Sequence, residues 1–150
     1  VLGIDISELA IEEATRNAEL NKLSDTVTFQ CCNAFDVLHQ WVKEGRRYDV
    51  VILDPPAFTK SRSTINSAVR GYKEINLRGM KLIKPGGYLI TCSCSHFMNP
   101  DLFRETIADA AKDARRILRQ VEFRTQAPDH PILWNSDESY YLKFYIFQVV

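Results

Sequence analysis

Apolar runs alternate with segments of helical period along the whole chain, the pattern of a parallel sheet with crossover helices. Leu2 to Ile6 reads as a short strand ending at Asp5. Ser7 then offers an N-cap to a helix reaching about Lys22, with Glu8, Glu12 and Glu13 suited to its positive end. Thr26 to Cys32 alternates and is β-branched, and Asp36 to Glu44 is a short helix. Tyr48 to Asp54, with Val50-Val51-Ile52-Leu53, predicts a strand buried on both faces. Pro55-Pro56 stops it, because proline lacks the ladder donor. After a polar loop, helix is predicted from Ser67 to Lys84, ended by Pro85-Gly86-Gly87. A buried strand from Tyr88 to Cys94 follows, then an amphipathic helix from Pro100 to about Arg119. Strands from Val121 to Gln126 and from Tyr140 to Val150 have no helix between them, so they pair antiparallel. The fold class is therefore α/β, a mostly parallel sheet finishing in an antiparallel hairpin.

At 150 residues the chain has the length of one domain, spanning 1–150 without a visible linker or repeat. With 45% apolar and 25% charged residues, and 19 Lys plus Arg against 19 Asp plus Glu, the composition is globular. Disorder, collagen and coiled coil are excluded. No run is long and apolar enough to span a membrane, and no basic flank or cleavage pattern opens the chain. Cys31 with Cys32, and Cys92 with Cys94, lack the spacing of a disulfide framework or a zinc site, so a reducing cytoplasm and no metal are expected. Charge is uneven. Residues 59–84 hold seven Lys or Arg against Glu74 alone, a net +6 balanced by −6 elsewhere. That surplus suits a solvated helix face or, beside a catalytic loop, an anionic polymer.

Open parallel sheets bind ligands at the carboxyl ends of their strands, and four such ends here carry chemistry. Asp5, followed by Ile6 and Ser7, is either a helix cap or a partner for two ribose hydroxyls. Asn33-Ala34-Phe35 offers an amide for an adenine edge and a ring for its face, or plain packing. Asp54-Pro55-Pro56-Ala57-Phe58 fixes a carboxylate beside an apolar ring, a grip for a planar amine or ring nitrogen. Thr91-Cys92-Ser93-Cys94-Ser95-His96 places Cys92 and Cys94 on one strand face with Cys94 nearer the mouth. Cys31, Cys32 and Cys92 read as inert buried thiols, whereas Cys94 beside the Asp54 strand end reads as reactive. Lys60, Arg62, Arg70, Tyr72 and Lys73 are candidates for substrate contact by position and type.

Asp5-Ile-Ser, Asn17-Ala-Glu-Leu-Asn21, Asn33-Ala-Phe, Asp54-Pro-Pro-Ala-Phe, Lys84-Pro-Gly-Gly, Thr91-Cys-Ser-Cys-Ser and Gln126-Ala-Pro-Asp-His-Pro131 occur in the order seen in one family. Taken together they make the chain resemble the catalytic domain of bacterial 23S rRNA cytosine carbon-5 methyltransferases. The resemblance implies a Rossmann-like class I methyltransferase sheet of order 3-2-1-4-5-7-6 and S-adenosylmethionine as cofactor. It also implies cofactor contacts from Asp5, Ile6, Asn33, Ala34, Phe35 and Asp54, and RNA as substrate. Cys94 would be the nucleophile and Asp54 its partner, with Pro55, Pro56, Phe58, Lys60, Arg62 and Tyr72 around the base. Three departures stand out. Asn33 replaces the family's frequent Asp, and Ala57 stands where some relatives carry a second cysteine. The glycine-rich loop after strand 1 is absent, so the chain reads as a fragment starting at strand 2, which alone would be unstable, rearranged or paired as a homodimer. Two rival readings remain. Asp-Pro-Pro-Ala-Phe also resembles the motif of enzymes that methylate exocyclic amines of adenine, guanine or glutamine. The chain also suits a non-catalytic RNA-binding module.

Overall fold

The computed structural model describes residues 1–59 and 61–150, with Arg62 described by its backbone only. The chain's contacts gather into two compact units, Val1–Lys43 and Glu44–Val150. In the first, β1 (Leu2–Asp5) and β2 (Thr28–Cys31) pair in parallel, Asp5 opposite Cys31. Between them runs α1 (Glu8–Leu20), and α2 (Ala34–Lys43) follows β2. Ser7 caps α1 by accepting the Ala10 amide at 3.3 Å, as its residue type dictates. The buried stripe Val37, Leu38 and Trp41 repeats at helical spacing on α2.

The second unit is a four-stranded sheet of order β3-β4-β6-β5, formed by Tyr48–Leu53, Ile83–Ser93, Lys143–Val149 and Leu118–Arg124. β3 and β4 are parallel, and β6 runs antiparallel to both β4 and β5. The order expected from the resemblance is met inside each sheet: β2-β1 for 3-2, and β3-β4-β6-β5 for 4-5-7-6. Helices α3 (Ile65–Lys81) and α4 (Pro100–Ala114) cover one face, their rings meeting the sheet through Tyr72, Phe103 and Tyr145. Across β4 and β6 the buried row runs Leu89 opposite Phe147, Thr91 opposite Tyr145 and Ser93 opposite Lys143. All six of these residues are less than a tenth exposed.

Several boundaries differ from the sequence reading, each for a local reason. β3 is not buried on both faces: Val50 is 47% and Ile52 65% exposed. Its other row, ending at Leu53, is the one that meets α3, so the row of Val50 and Ile52 faces away from that helix. α3 stops at Lys81 rather than Lys84, and Pro85-Gly86-Gly87 lies within β4 as a bulge between the pairs Tyr48–Ile83 and Val50–Tyr88. Gly86 takes φ +84°, and a Cβ on Gly87 would stand 2.5 Å from the Asp49 carbonyl oxygen, so the glycines belong to the bulge. α4 ends at Ala114 because Arg115 turns left-handed, after which β5 starts at Leu118, before the expected Val121.

Candidate active site

The carboxyl ends of β3 and β4 lie side by side. Leu53 pairs with Thr91, so Asp54 and Cys94 emerge one and three residues beyond a shared rung of the ladder. Asp54 is exposed, and no hydrogen bond among the described residues engages its carboxylate. Pro55 behind it is buried and Pro56 exposed, which fixes the carboxylate's root without taking its acceptors. Cys94 is exposed between two buried serines. Ser95 Oγ donates to the Thr59 carbonyl at 3.1 Å, tying the loop after β4 to the loop after β3. Ser93 Oγ donates to Tyr72 Oη at 3.1 Å and accepts the Ser95 amide at 3.4 Å. The thiol is thereby presented outward while its neighbours peg the backbone.

Electrostatics joins the same groups. Burial, then the charges of Asp54 and Cys94, push the Cys92 thiol up from 9.0 to about 11. Burial also raises Tyr72, with Cys94 and Asp54 adding to it and the Ser93 hydroxyl opposing it. Cys92 therefore holds its proton, as an inert core thiol should.

Tyr72 is placed differently from the substrate contact expected of it. It is fully buried, its ring centroid 4.6 Å from that of Phe58 in an edge-on contact, and it supports the site from below. Phe58 itself is half-buried. Lys60 lies outside the described residues, and Arg62 enters through its backbone alone, in a 3-10 turn over Arg62–Thr64. The basic surplus of 59–84 is partly answered in place. Lys73 meets Asp113 at 2.9 Å and Asp109 at 4.0 Å, Arg78 meets Glu74 at 2.7 Å, and Lys84 meets Asp49 at 2.8 Å. Exposed Arg70 lies on α3 as well. Just past Cys94 a cleft of about 410 Å³ opens, lined by Ile65, His96, Phe97, Asn99, Asp137 and Tyr140 among others.

In the first unit the strand ends hold the expected groups together. Asp5 Oδ1 accepts the Ser7 amide at 2.8 Å, and no described hydrogen bond engages its second oxygen. Cys32 N donates to the Asp5 carbonyl at 2.8 Å, placing the β2 end beside it. Asn33 Oδ1 accepts the Phe35 amide at 2.9 Å, so it caps α2 and still presents its amide nitrogen. Ile6 is 72% and Phe35 38% exposed, with Ala34 half-buried. A carboxylate oxygen, an amide and an accessible ring are a donor set that fits a nucleoside. Cys31 is exposed rather than buried, its thiol turned to the Ile6 carbonyl at 3.5 Å.

Sequence reasoning missed Lys143. It is fully buried on β6, and Nζ donates to the carbonyls of Ser95 at 2.6 Å and Tyr141 at 2.9 Å. The signal was available: alternation puts position 143 in the row of Tyr145, Phe147 and Val149, a buried face where lysine is out of place. Burial pulls its ammonium down from 10.5 to about 8, while the Cys94 thiolate works against that fall.

These shifts give a signed pH dependence. Between pH 8 and 10.5 the unfolded chain binds the Lys143 proton more readily, so that contribution to stability grows as pH rises. Between pH 9 and 11 the unfolded chain releases the Cys92 proton first, so that contribution falls. Stability is expected to climb from pH 8 to 9 and then level. In Cys92→Ala the climb continues toward pH 10, until buried Tyr72 and Tyr145, both raised by burial, pull it back. Urea midpoints across that range, compared between the two proteins, check it.

A family model described as a methyltransferase domain matches residues 1–144. The chain is 46% identical over 142 residues to ribosomal RNA large subunit methyltransferase I of Shewanella denitrificans, covering 94% of this chain and 36% of that protein. It is 42% identical over 151 residues to the protein of the same name in Pseudoalteromonas atlantica, covering 100% and 38%. The chain thus spans little more than a third of the length of these relatives. Among solved structures, SMU.776 complexed with SAH superposes with TM-score 0.83 at 18% identity, over 98% of this chain and 38% of that one. The N-methyltransferase NodS from Bradyrhizobium japonicum WM9, also in complex with S-adenosyl-L-homocysteine, gives 0.56 at 15% identity, over 98% and 65%. The fold is the Rossmann-like methyltransferase fold, and the chain belongs to the methyltransferase domain family.

Proposed function

We propose that the chain carries the catalytic chemistry of an S-adenosylmethionine-dependent RNA methyltransferase acting on carbon 5 of a cytosine in large-subunit rRNA, through a covalent adduct on Cys94. The observation that carries this reading is an exposed thiol and a carboxylate unengaged among the described residues, on adjacent strand ends, with the loop that holds the thiol pegged by Ser93 and Ser95. The names of the curated relatives support rRNA as substrate. In the first unit Asp5, Ile6, Asn33, Ala34 and Phe35 are the residues that would hold the cofactor, which supplies an electrophilic methyl group when bound.

Carbon 5 of cytosine is a weak nucleophile until something adds at carbon 6. The Cys94 thiolate adds there, and the electron pair of the 5,6 double bond moves to make carbon 5 nucleophilic. The Asp54 carboxyl accepts from the amino group and shares a proton with the ring nitrogen, offsetting the negative charge that the addition sends there. Once carbon 5 carries its methyl group, a base takes its proton, the double bond re-forms and the Cys94 sulfur leaves with its electron pair. Pro55, Pro56 and Phe58 wall the base's face, and Lys60 and Arg62 are proposed to meet the RNA backbone.

The full chain incubated with cofactor and rRNA carrying 5-fluorocytosine is expected to accumulate a denaturation-resistant adduct, because fluorine cannot leave as a proton does. Peptide mapping should find it on Cys94. Methylation of ordinary RNA at an exocyclic amine, with no adduct on the fluorinated substrate, would overturn the reading in favour of the amine chemistry.

A further inference from the structure

A buried ammonium is costly unless something offsets its charge, and among the described residues no carboxylate lies within ion-pair distance of Lys143. The two acceptors of its hydrogen bonds are carbonyl oxygens, and one belongs to Ser95, the residue after the exposed thiol. Its strand partner is Ser93, the residue before that thiol. Lys143 is thus anchored to both neighbours of Cys94 without touching the substrate side.

We propose that Lys143 is a positioning residue for Cys94, clamping the Ser93–Ser95 loop through the Ser95 carbonyl and supplying, from inside the sheet, the positive charge that favours the thiolate. The inference rests on the reading of Cys94 as nucleophile. Among the described residues the other ionisable groups at this strand end are Cys92 on β4, Asp54 beyond β3 and Tyr72 on α3, each of which is negative when ionised. His96 and Tyr140 line the neighbouring cleft, and Tyr141 supplies the second carbonyl. Lys143 is the cation among them whose charge is placed under the loop. Nζ stands 2.6 Å from the carbonyl of the residue that follows the thiol, and the buried setting lets its charge act on the neighbouring sulfur with little screening.

The test uses the full chain and alkylation by iodoacetamide, read cysteine by cysteine by mass spectrometry so that exposed Cys31 does not interfere. In Lys143→Met, Cys94 alkylation at pH 7 is expected to slow at least about fivefold, with the gap closing at high pH where the thiolate forms regardless. A purely structural role would change the rate equally at all pH values. The reciprocal measurement uses Cys94→Ser, a change at an exposed position. There the Lys143 ammonium, followed by NMR, should titrate at lower pH than in the parent. Equal Cys94 alkylation across pH in a folded Lys143→Met protein overturns the inference. If that variant does not fold, an unchanged Lys143 titration in Cys94→Ser overturns it instead. Should Cys94→Ala retain methyl transfer while the coupling persists, the nucleophile reading falls and the coupling stands. Should Cys94→Ala abolish transfer with no coupling found, the inference alone falls.

Discussion

Cys94→Ala is expected to lower methyl transfer by at least about 10³-fold while leaving the melting midpoint where it was. Both halves follow from one arrangement. The side chain is exposed, so its removal opens no cavity, and the loop keeps its pegs through Ser93, Ser95 and Lys143. What disappears is the atom that adds to carbon 6, and without it carbon 5 has no route to nucleophilicity. The measurement is single-turnover transfer of labelled methyl to rRNA, run beside a thermal melt of the same preparation. Turnover within a factor of about ten of the parent would mean that the thiol is a bystander.

Asp54→Asn is expected to cost about 10²–10³-fold in kcat, with a much smaller change in KM. The substitution keeps size and shape and removes the carboxyl that can share a proton with the ring nitrogen. A proton delivered only as negative charge grows on that nitrogen contributes to the transition state more than to binding, hence the split between the two constants. The same variant carries a check independent of turnover. Asp54 helps raise Cys92 to about 11, so in Asp54→Asn the buried thiol should titrate at lower pH. A normal kcat with a shifted Cys92 would confirm the proximity and reject the role.

The element order was legible because each piece announces itself locally. Ser7 before an acidic turn, the run of Val50 to Leu53 closed by two prolines, and two late strands with no helix between them each specify a neighbour. The boundaries that slipped depend on contacts beyond the local window. Pro85-Gly86-Gly87 looks like a helix stop, yet it is absorbed into β4 because the backbone of Asp49 crosses it closely enough to demand glycine. Val50 and Ile52 look like core by composition, and only the packing shows that α3 covers the opposite row through Leu53. At the site, Asp54 and Cys94 were readable as loaded strand ends. Tyr72 was misplaced because aromatic type says nothing of direction, and Lys143 carries a signal only when its strand parity is read beside the buried row of Tyr145, Phe147 and Val149.

The row shared by β4 and β6 grades from Leu89 and Phe147 through Thr91 and Tyr145 to Ser93 and Lys143. Sliding β6 by two residues toward the start of β4 would bring the ammonium opposite Thr91, and two more would press it on Leu89, each step losing the Ser95 carbonyl. Misaligned pairings of β4 with β6 are therefore penalised most at their one charged rung. The lysine works as a ratchet tooth during assembly of the sheet, admitting one alignment of the final strand and discarding the rest.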